Sequence, residues 1–143
     1  MSKVLLKVEN LSKHYLVRSG WFSKTTPRIR AVDRVNLCIS KGETLGLVGE
    51  SGCGKTTLGR TILKLVTPTS GKVIFDGTDI SQLKEKELRA LRPRLQIIFQ
   101  DPFSSLNPRI PVGEIIGEAM RIHRITSSKT HQDEINMLLD HVG

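Results

Sequence analysis

The sequence predicts an α/β fold, and three observations support this prediction. Alternating polar and apolar residues near the N-terminus indicate paired β-strands. An apolar strand then runs directly into a glycine-rich loop that is followed by a helical pattern, and two amphipathic helices close the chain. A length of 143 residues is enough for one domain with a buried core.

The first half of the chain is predicted to contain one helix and several short strands. The strands are residues 3–9, 35–39, 44–48 and 73–75. The helix covers Thr56–Val66 and is ended by Pro68. Asp76-Gly77 is a turn dipeptide and closes the last of these strands in a hairpin.

The second half is predicted to be mainly helical. A short helix contains Leu88 and Leu91 and stops at Pro93, and residues 95–99 form a further strand. In the final helix, the apolar residues share one face with the spacing i, i+3, i+4, i+7; they are Ile135, Leu138, Leu139 and Val142.

The net charge of +8 is concentrated at the N-terminus, where residues 1–34 hold eight Lys/Arg and only two acidic residues. Residues 18–34 are predicted to form a solvated loop between two strands. A basic loop containing Trp21 and Phe22 suits contact with anionic lipid, a membrane partner or nucleic acid. The alternative interpretation is a solvated loop whose Lys and Arg residues have no binding role. We expect no nucleic-acid partner, because the sequence has no zinc-finger spacing or RNA-recognition signature.

Apolar runs are short throughout the chain, whereas a membrane span needs roughly 20 apolar residues. A secretory signal also needs a longer apolar stretch than Val4–Leu6. The sequence therefore predicts a cytoplasmic protein.

One motif carries chemistry: residues 49–56 match the phosphate-binding pattern G-x-x-x-x-G-K-[ST]. Main-chain N–H groups can wrap a polyphosphate only where glycine removes the Cβ atoms, and the following helix adds its positive N-terminal end. Lys55 can reach the β- and γ-phosphates, the Thr56 hydroxyl can ligate Mg²⁺, and Thr57 can donate to the α-phosphate. The predicted nucleotide-binding residues of this loop are Gly49, Glu50, Ser51, Gly52, Cys53, Gly54, Lys55, Thr56 and Thr57.

Hydrolysis also requires an acidic Mg²⁺ partner at the end of a strand (Walker B) and a group that positions water. Val73–Asp76 superficially resembles such a strand with its Asp, but Gly77 directly after it makes a hairpin turn the simpler interpretation. This segment has only three apolar residues before Asp-Gly, and the sequence contains no run of four apolar residues followed by Asp-Glu. The residues therefore predict nucleotide binding, and the machinery for chemistry is not visible.

Several motifs in fixed order resemble the ATP-binding subunits of ABC transporters. They are Leu11-Ser12-Lys13-His14-Tyr15, the Gly42-Glu43-Thr44 turn, the phosphate-binding loop, and Ile97-Ile98-Phe99-Gln100-Asp101-Pro102. The continuation to Arg109 and the basic insertion before Ala31 look like the oligopeptide/dipeptide importer branch. The resemblance covers essentially the whole chain.

This resemblance implies a P-loop NTPase fold of the ABC ATPase type that is incomplete. Residues 1–100 would hold an antiparallel β portion and part of the RecA-like core, and residues 101–143 the Q-loop and the start of a helical subdomain. The family's signature, Walker B strand with its catalytic Glu, and switch His do not occur before Gly143. We therefore expect a fragment that binds ATP and Mg²⁺ and is inactive alone, although the full-length family is an ATPase.

The resemblance also assigns roles outside the loop. Tyr15 would stack on the adenine ring, or it simply packs at the edge of the sheet. Gln100 would contact Mg²⁺ or the attacking water and serve catalysis together with Lys55, or it merely caps a strand. Residues 101–109 would meet the transmembrane permease subunits, or they form an ordinary surface loop.

The implied partners are the permease, a second ATP-binding subunit in a homo- or heterodimer and, indirectly, an external solute-binding protein. The implied location is the cytoplasmic face of the cell membrane, and the implied transported solute is a short peptide. Two other functions stay open at this point: a self-contained small P-loop kinase or GTPase, and a basic nucleic-acid-binding module.

Overall fold

The computed structural model describes residues 3–16, 28–101, 106–123 and 131–143. Its elements are β1 (Val4–Leu16), β2 (Arg28–Ser40), α1 (Lys55–Ile62), β3 (Ser70–Phe75), β4 (Thr78–Asp79), α2 (Glu85–Leu91), a 3₁₀ turn (Arg92–Arg94), α3 (Val112–His123) and α4 (His131–Asp140). They fall into two compact units, residues 1–95 and 96–143. This mixture of strands and helices agrees with the predicted α/β class.

The first unit is built on a four-stranded antiparallel sheet with the strand order β2-β1-β3-β4. Helix α1 packs against β1 and β2. Aliphatic side chains from the sheet, α1 and α2 form one continuous core, in which Leu11, Ile80 and Leu88 are fully buried. β2 and α1, the two elements on either side of the glycine-rich segment, thus both contribute to this core.

β1 and β2 are much longer than the alternating runs 3–9 and 35–39 indicated. The register between them shifts several times, and Asn10 and Arg34 have the positive φ angles of 47° and 48°. The Asn10 N–H donates to the Asn36 side-chain oxygen across this irregularity at 2.8 Å. Each bulge moves the buried face by one residue, so the alternation that marks a strand is interrupted although the pairing continues.

Two predicted strands are absent from the structure. Residues 44–48 and 95–99 carry no strand assignment, and Val48 and Ile98 are 94% and 90% exposed. A continuous apolar run becomes a strand only when neighbouring strands complete its hydrogen bonds, and within the described residues no strand pairs with either run. The prediction of strands here was wrong for this chain.

Helix α1 ends at Ile62, four residues earlier than predicted. Lys64 adopts a left-handed conformation with φ 52°, and the N–H groups of Leu65 and Val66 both donate to the Arg60 carbonyl. This turn satisfies the last carbonyls of the helix in the way a glycine usually does. The sequence does not predict that the helix ends here, because Lys is common within helices and rarely adopts a left-handed conformation.

The turn at Asp76-Gly77 is confirmed: both residues have positive φ, 47° and 83°, and they connect β3 to β4. Asp76 accepts hydrogen bonds from Arg94 at 2.7 Å and from Lys3 at 2.9 Å. These two cations lower the pKa of Asp76 from 3.8 to about 2, the bond from Arg94 contributing most. Asp76 therefore has the geometry of a hairpin residue held by ion pairs.

The second unit contains α3 and α4, which confirm the two predicted closing helices. The His131 ring lies 3.1 Å from the Gly117 carbonyl, and a Cβ atom on Gly117 would approach Ile135 to 3.1 Å. A side chain at position 117 would therefore require His131 or Ile135 to shift by a few tenths of an ångström. The predicted apolar stripe is only partly buried, since Ile135 is covered whereas Val142 lies beyond the helix and is exposed.

Candidate functional site: the 49–57 loop and its surroundings

The glycine-rich loop lies between β2 and α1, and its geometry depends on two glycines with positive φ. Gly52 has φ 81°, and Gly54, which caps α1, has φ 100°. A Cβ atom on Gly54 would lie 2.1 Å from the Ala31 carbonyl oxygen of β2. The loop is thus pressed against the sheet at Gly54, where no residue with a side chain fits.

Helix α1 begins at Lys55, directly after the loop. The first N–H groups of an α-helix have no partner within the helix and carry its positive dipole end. The first turn of α1 contains no acidic residue that would neutralise this end. The start of α1 is therefore suited to an anionic ligand.

The Lys55 ammonium lies against the carbonyl oxygens of the loop. It donates to the carbonyl oxygens of Gly49, at 2.7 Å, and Glu50, and it lies 3.4 Å from the Cys53 sulfur. A phosphate group wrapped by the same loop would lie within reach of this flexible cation. The structure therefore places Lys55 and the loop backbone together, as the motif requires.

Thr56 and Thr57 occupy the first turn of α1. Thr56 is exposed, whereas Thr57 is half-buried and its carbonyl accepts a hydrogen bond from the Thr61 hydroxyl at 2.7 Å. Within the described ranges, no group of three or more His, Cys, Asp or Glu side chains could hold a metal ion. An exposed hydroxyl beside the glycine-rich loop fits Mg²⁺, because Mg²⁺ binds mainly through water and substrate phosphates and needs few protein ligands.

Tyr15 lies on β1 opposite Ile29, two residues along β2 from the Ala31 carbonyl that meets the loop. Its side chain is 41% exposed, and the Lys13 ammonium lies 5.0 Å from the ring centroid. An exposed aromatic ring held by the same sheet as the loop is available for stacking. The sequence did not predict the contact of Gly54 with the Ala31 carbonyl, because these residues are far apart in the chain. It did not predict the contact of Lys13 with the Tyr15 ring either, because that contact depends on side-chain direction.

Gln100 is an exposed residue in the second unit and lies outside the helices and strands. Its predicted role stays a prediction. The predicted permease contact, residues 101–109, lies partly outside the described residues, which omit 102–105. Most of the predicted basic loop, including Trp21 and Phe22, also lies outside them. Its described end, residues 28–34, belongs to β2, so the prediction of a loop was wrong there. These residues pair with β1.

None of the helices in the described part of the chain is sufficiently long and apolar to span a bilayer.

Comparison with known proteins gives a consistent result. The chain is 50% identical over its full length to the protein named "Probable peptide ABC transporter ATP-binding protein y4tS" from Sinorhizobium fredii, of which it covers 40%. It is 44% identical to the oligopeptide transport ATP-binding protein OppF from Salmonella typhimurium, with 99% of the chain covering 43% of that protein. The chain thus spans about two fifths of the length of these relatives.

Among solved structures, the fold matches a dimeric, post-hydrolysis state of the ATP-binding cassette MJ0796 bound to ADP and Pi. The TM-score is 0.75 at 28% sequence identity, and the match covers 95% of this chain and 56% of that one. The observed sheet and helices are therefore part of an ABC-type P-loop NTPase fold, as predicted. The profile of the family described as ABC transporter matches residues 32–143, and the chain belongs to this family.

Proposed function

We propose that this chain carries the nucleotide-binding loop of the ATP-binding subunit of an ABC importer for short peptides. The observation that supports it most is the geometry of the loop, with Gly54 pressed on Ala31 and the Lys55 ammonium over the loop carbonyls. The whole-chain similarity to peptide and oligopeptide transport proteins supports the solute class. This similarity does not favour the two alternatives, a self-contained small P-loop kinase or GTPase and a basic nucleic-acid-binding module.

In this proposal, the triphosphate of ATP lies in the loop formed by residues 49–57. Main-chain N–H groups and the start of α1 hold its oxygens, and Lys55 turns from the loop carbonyls to the β- and γ-phosphates. The Thr56 hydroxyl contributes to Mg²⁺ binding, and Thr57 donates to the α-phosphate. Bound Mg²⁺ would neutralise part of the phosphate charge.

Tyr15 would stack on the adenine ring from the neighbouring strand. Gln100 would sense Mg²⁺ or the attacking water, and residues 101–109 would contact the permease subunits. A second ATP-binding subunit would complete the nucleotide site, and the assembly would lie at the cytoplasmic face of the membrane. These roles rest on the family resemblance.

For the 143-residue chain, we propose nucleotide binding without measurable turnover. The sequence holds the loop that binds phosphate, but no strand of four apolar residues followed by Asp-Glu. The expected result is Mg²⁺-dependent ATP binding and no phosphate release above background. Turnover that the Lys55→Ala variant abolishes would contradict this proposal.

The binding test is a calorimetric titration of the 143-residue chain with Mg-ATP. Lys55→Ala is expected to weaken binding about tenfold or more, because a charge-assisted hydrogen bond is worth about 1.5–3 kcal/mol. The matched control is Lys72→Ala, which removes the same charge from an exposed position of β3 opposite Glu9. Equal affinities for the two variants would show that Lys55 does not contact the nucleotide.

The stacking role is tested with Tyr15→Ala and Tyr15→Phe. Loss of base stacking is expected to cost about 1–3 kcal/mol of binding, whereas Phe keeps a ring of the same shape and most of the affinity. If both variants bind like the unmodified chain, Tyr15 has only a structural role in the sheet.

A further inference from the structure

A small pocket lies at the end of the sheet where β1 begins and β2 and β3 end. Its volume is about 110 Å³, and its lining residues are Lys3, Val4, Leu5, Lys41, Asp76 and Arg94. None of them belongs to the predicted nucleotide site. Three of the six carry positive charge and one carries negative charge, so the pocket has two excess positive charges.

The main chain fixes the positions from which these cations project. The Lys41 N–H donates to the Lys3 carbonyl at 2.9 Å, and the Asp76 N–H donates to the Leu5 carbonyl at 2.8 Å. The turn after β2 and the turn after β3 are thereby both fastened to the start of β1. Lys3, Lys41 and Asp76 therefore line the pocket from the ends of three different strands of one sheet.

Arg94 comes from the 3₁₀ turn after α2, and its guanidinium lies over the Phe75 ring at 5.0 Å. At this distance the guanidinium and the ring form a cation–π contact. One N–H donates to Asp76 at 2.7 Å, and a guanidinium has five such donors in a planar fork. Similarly, the Lys3 ammonium has three donors and directs one to Asp76.

We propose that this pocket binds a doubly charged phosphate group, held by Lys3, Lys41 and Arg94. The two excess positive charges match a phosphate monoester or inorganic phosphate near neutral pH. The volume of about 110 Å³ exceeds three times the roughly 30 Å³ share of a water molecule, which leaves room for a tetrahedral oxyanion. Asp76 positions two of the cations and limits the affinity by its own charge.

This proposal is independent of the nucleotide-binding function. The ligand is either a soluble phosphate or the headgroup of a lipid with a terminal phosphate, since both present the same dianion. The experiment therefore includes one arm for each source.

The first arm uses the 143-residue chain with Lys55→Ala. This substitution removes the lysine that is proposed to contact phosphate in the nucleotide loop, so that binding at the pocket is measured separately. Inorganic phosphate is titrated at constant ionic strength while amide NMR signals of residues 41, 42, 76 and 77 are followed. Adding Lys41→Ala is expected to weaken binding about tenfold, the value of one charge-assisted hydrogen bond. Adding Lys72→Ala, which removes the same charge elsewhere in the sheet, is expected to change it less than about twofold.

Asp76→Asn is a second variant, and it is expected to change the phosphate affinity in the opposite direction from Lys41→Ala. Removing the carboxylate charge is expected to tighten phosphate binding several-fold, because the cations lose a competing anion. Equal affinities for the Lys41→Ala and Lys72→Ala chains would overturn the proposal, since the anion would then respond only to net charge. Shifts absent at residues 41, 42, 76 and 77 would overturn it as well.

The second arm measures co-sedimentation with phosphatidylcholine vesicles that contain phosphatidic acid, compared with vesicles that contain phosphatidylglycerol. Binding that prefers phosphatidic acid and is lost in Lys41→Ala identifies a lipid headgroup as a source of the phosphate. Phosphate binding in the first arm without vesicle binding identifies a soluble ligand. Vesicle binding that Lys41→Ala leaves unchanged would exclude this pocket as the lipid site.

Discussion

The antiparallel sheet and the two apolar segments 44–48 and 95–99 contain similar aliphatic residues but differ greatly in burial. Val8 and Leu11 on β1 are 2% and 0% exposed, whereas Val48 and Ile98 are 94% and 90% exposed. β1 is paired on both sides, with β2 and with β3, although β3 is distant in sequence. Within the described residues, no strand pairs with either apolar segment, and an apolar run without such partners does not form a strand.

The largest expected effect concerns the core of the sheet. Leu11→Ala should lower the free energy of unfolding of the 143-residue chain by about 2–5 kcal/mol, because Leu11 is fully buried in the cluster between sheet and helices. Urea unfolding followed by circular dichroism measures this loss. A change below about 0.5 kcal/mol, typical of surface sites, would mean that the sheet core does not stabilise the chain.

The same difference explains how much of the fold was predictable. The turn at Asp76-Gly77 and the helices α3 and α4 follow from local patterns, and the structure contains them. The full lengths of β1 and β2 did not follow, because bulges near Asn10 and Arg34 interrupt the alternation. The prediction of a strand at 44–48 was wrong because the apolar pattern is local, whereas a strand also needs a pairing partner from elsewhere in the chain.

The candidate site was predictable for a related reason. The spacing of Gly49, Gly54 and Lys55 encodes a local loop-to-helix geometry, and the structure brings these residues together. The Ala31 carbonyl that meets Gly54 could not be predicted, because it depends on how β2 lies against the loop. Gln100 lies in the second unit, and its role stays a prediction.

The second prediction separates conformational strain from steric fit within the loop. Gly52→Ala should cost about 1–2 kcal/mol, because φ is 81° but a Cβ atom at this position meets nothing within 4 Å. Gly54→Ala should cost more and should also weaken Mg-ATP binding, because its Cβ atom would collide with the Ala31 carbonyl. Thermal unfolding and calorimetric titration of both variants measure these effects, and equal losses of stability would show that the contact with β2 is unimportant.

The third prediction concerns pH and the ion pairs of Asp76. Arg94 and Lys3 hold the pKa of Asp76 at about 2, below its ordinary value of 3.8. A lowered pKa in the folded state means that the ion pairs stabilise the fold above about pH 4 and cease to do so as the pH falls through about 2. The Tm difference between the unmodified chain and Asp76→Asn should therefore be constant near neutral pH and shrink in this acidic range.

This measurement needs a control for the loss of any carboxylate. Asp140→Asn, at the end of α4 in the second unit, removes an acidic group outside the sheet. If the Tm difference for Asp76→Asn does not change between about pH 6 and pH 2, the ion pairs at Asp76 do not contribute to stability.

The smallest expected effect is at Val48, in the segment that the sequence pattern predicted to be a strand. Val48→Ala should change the stability of the 143-residue chain by less than about 0.5 kcal/mol, because the side chain is 94% exposed. The matched variant Val8→Ala removes the same two methyl groups from a position that is 2% exposed and should cost about 1.5–3 kcal/mol. Urea unfolding compares the two directly. If both substitutions destabilise the chain equally, residues 44–48 are packed in solution, and the difference between the sheet and the apolar segments disappears.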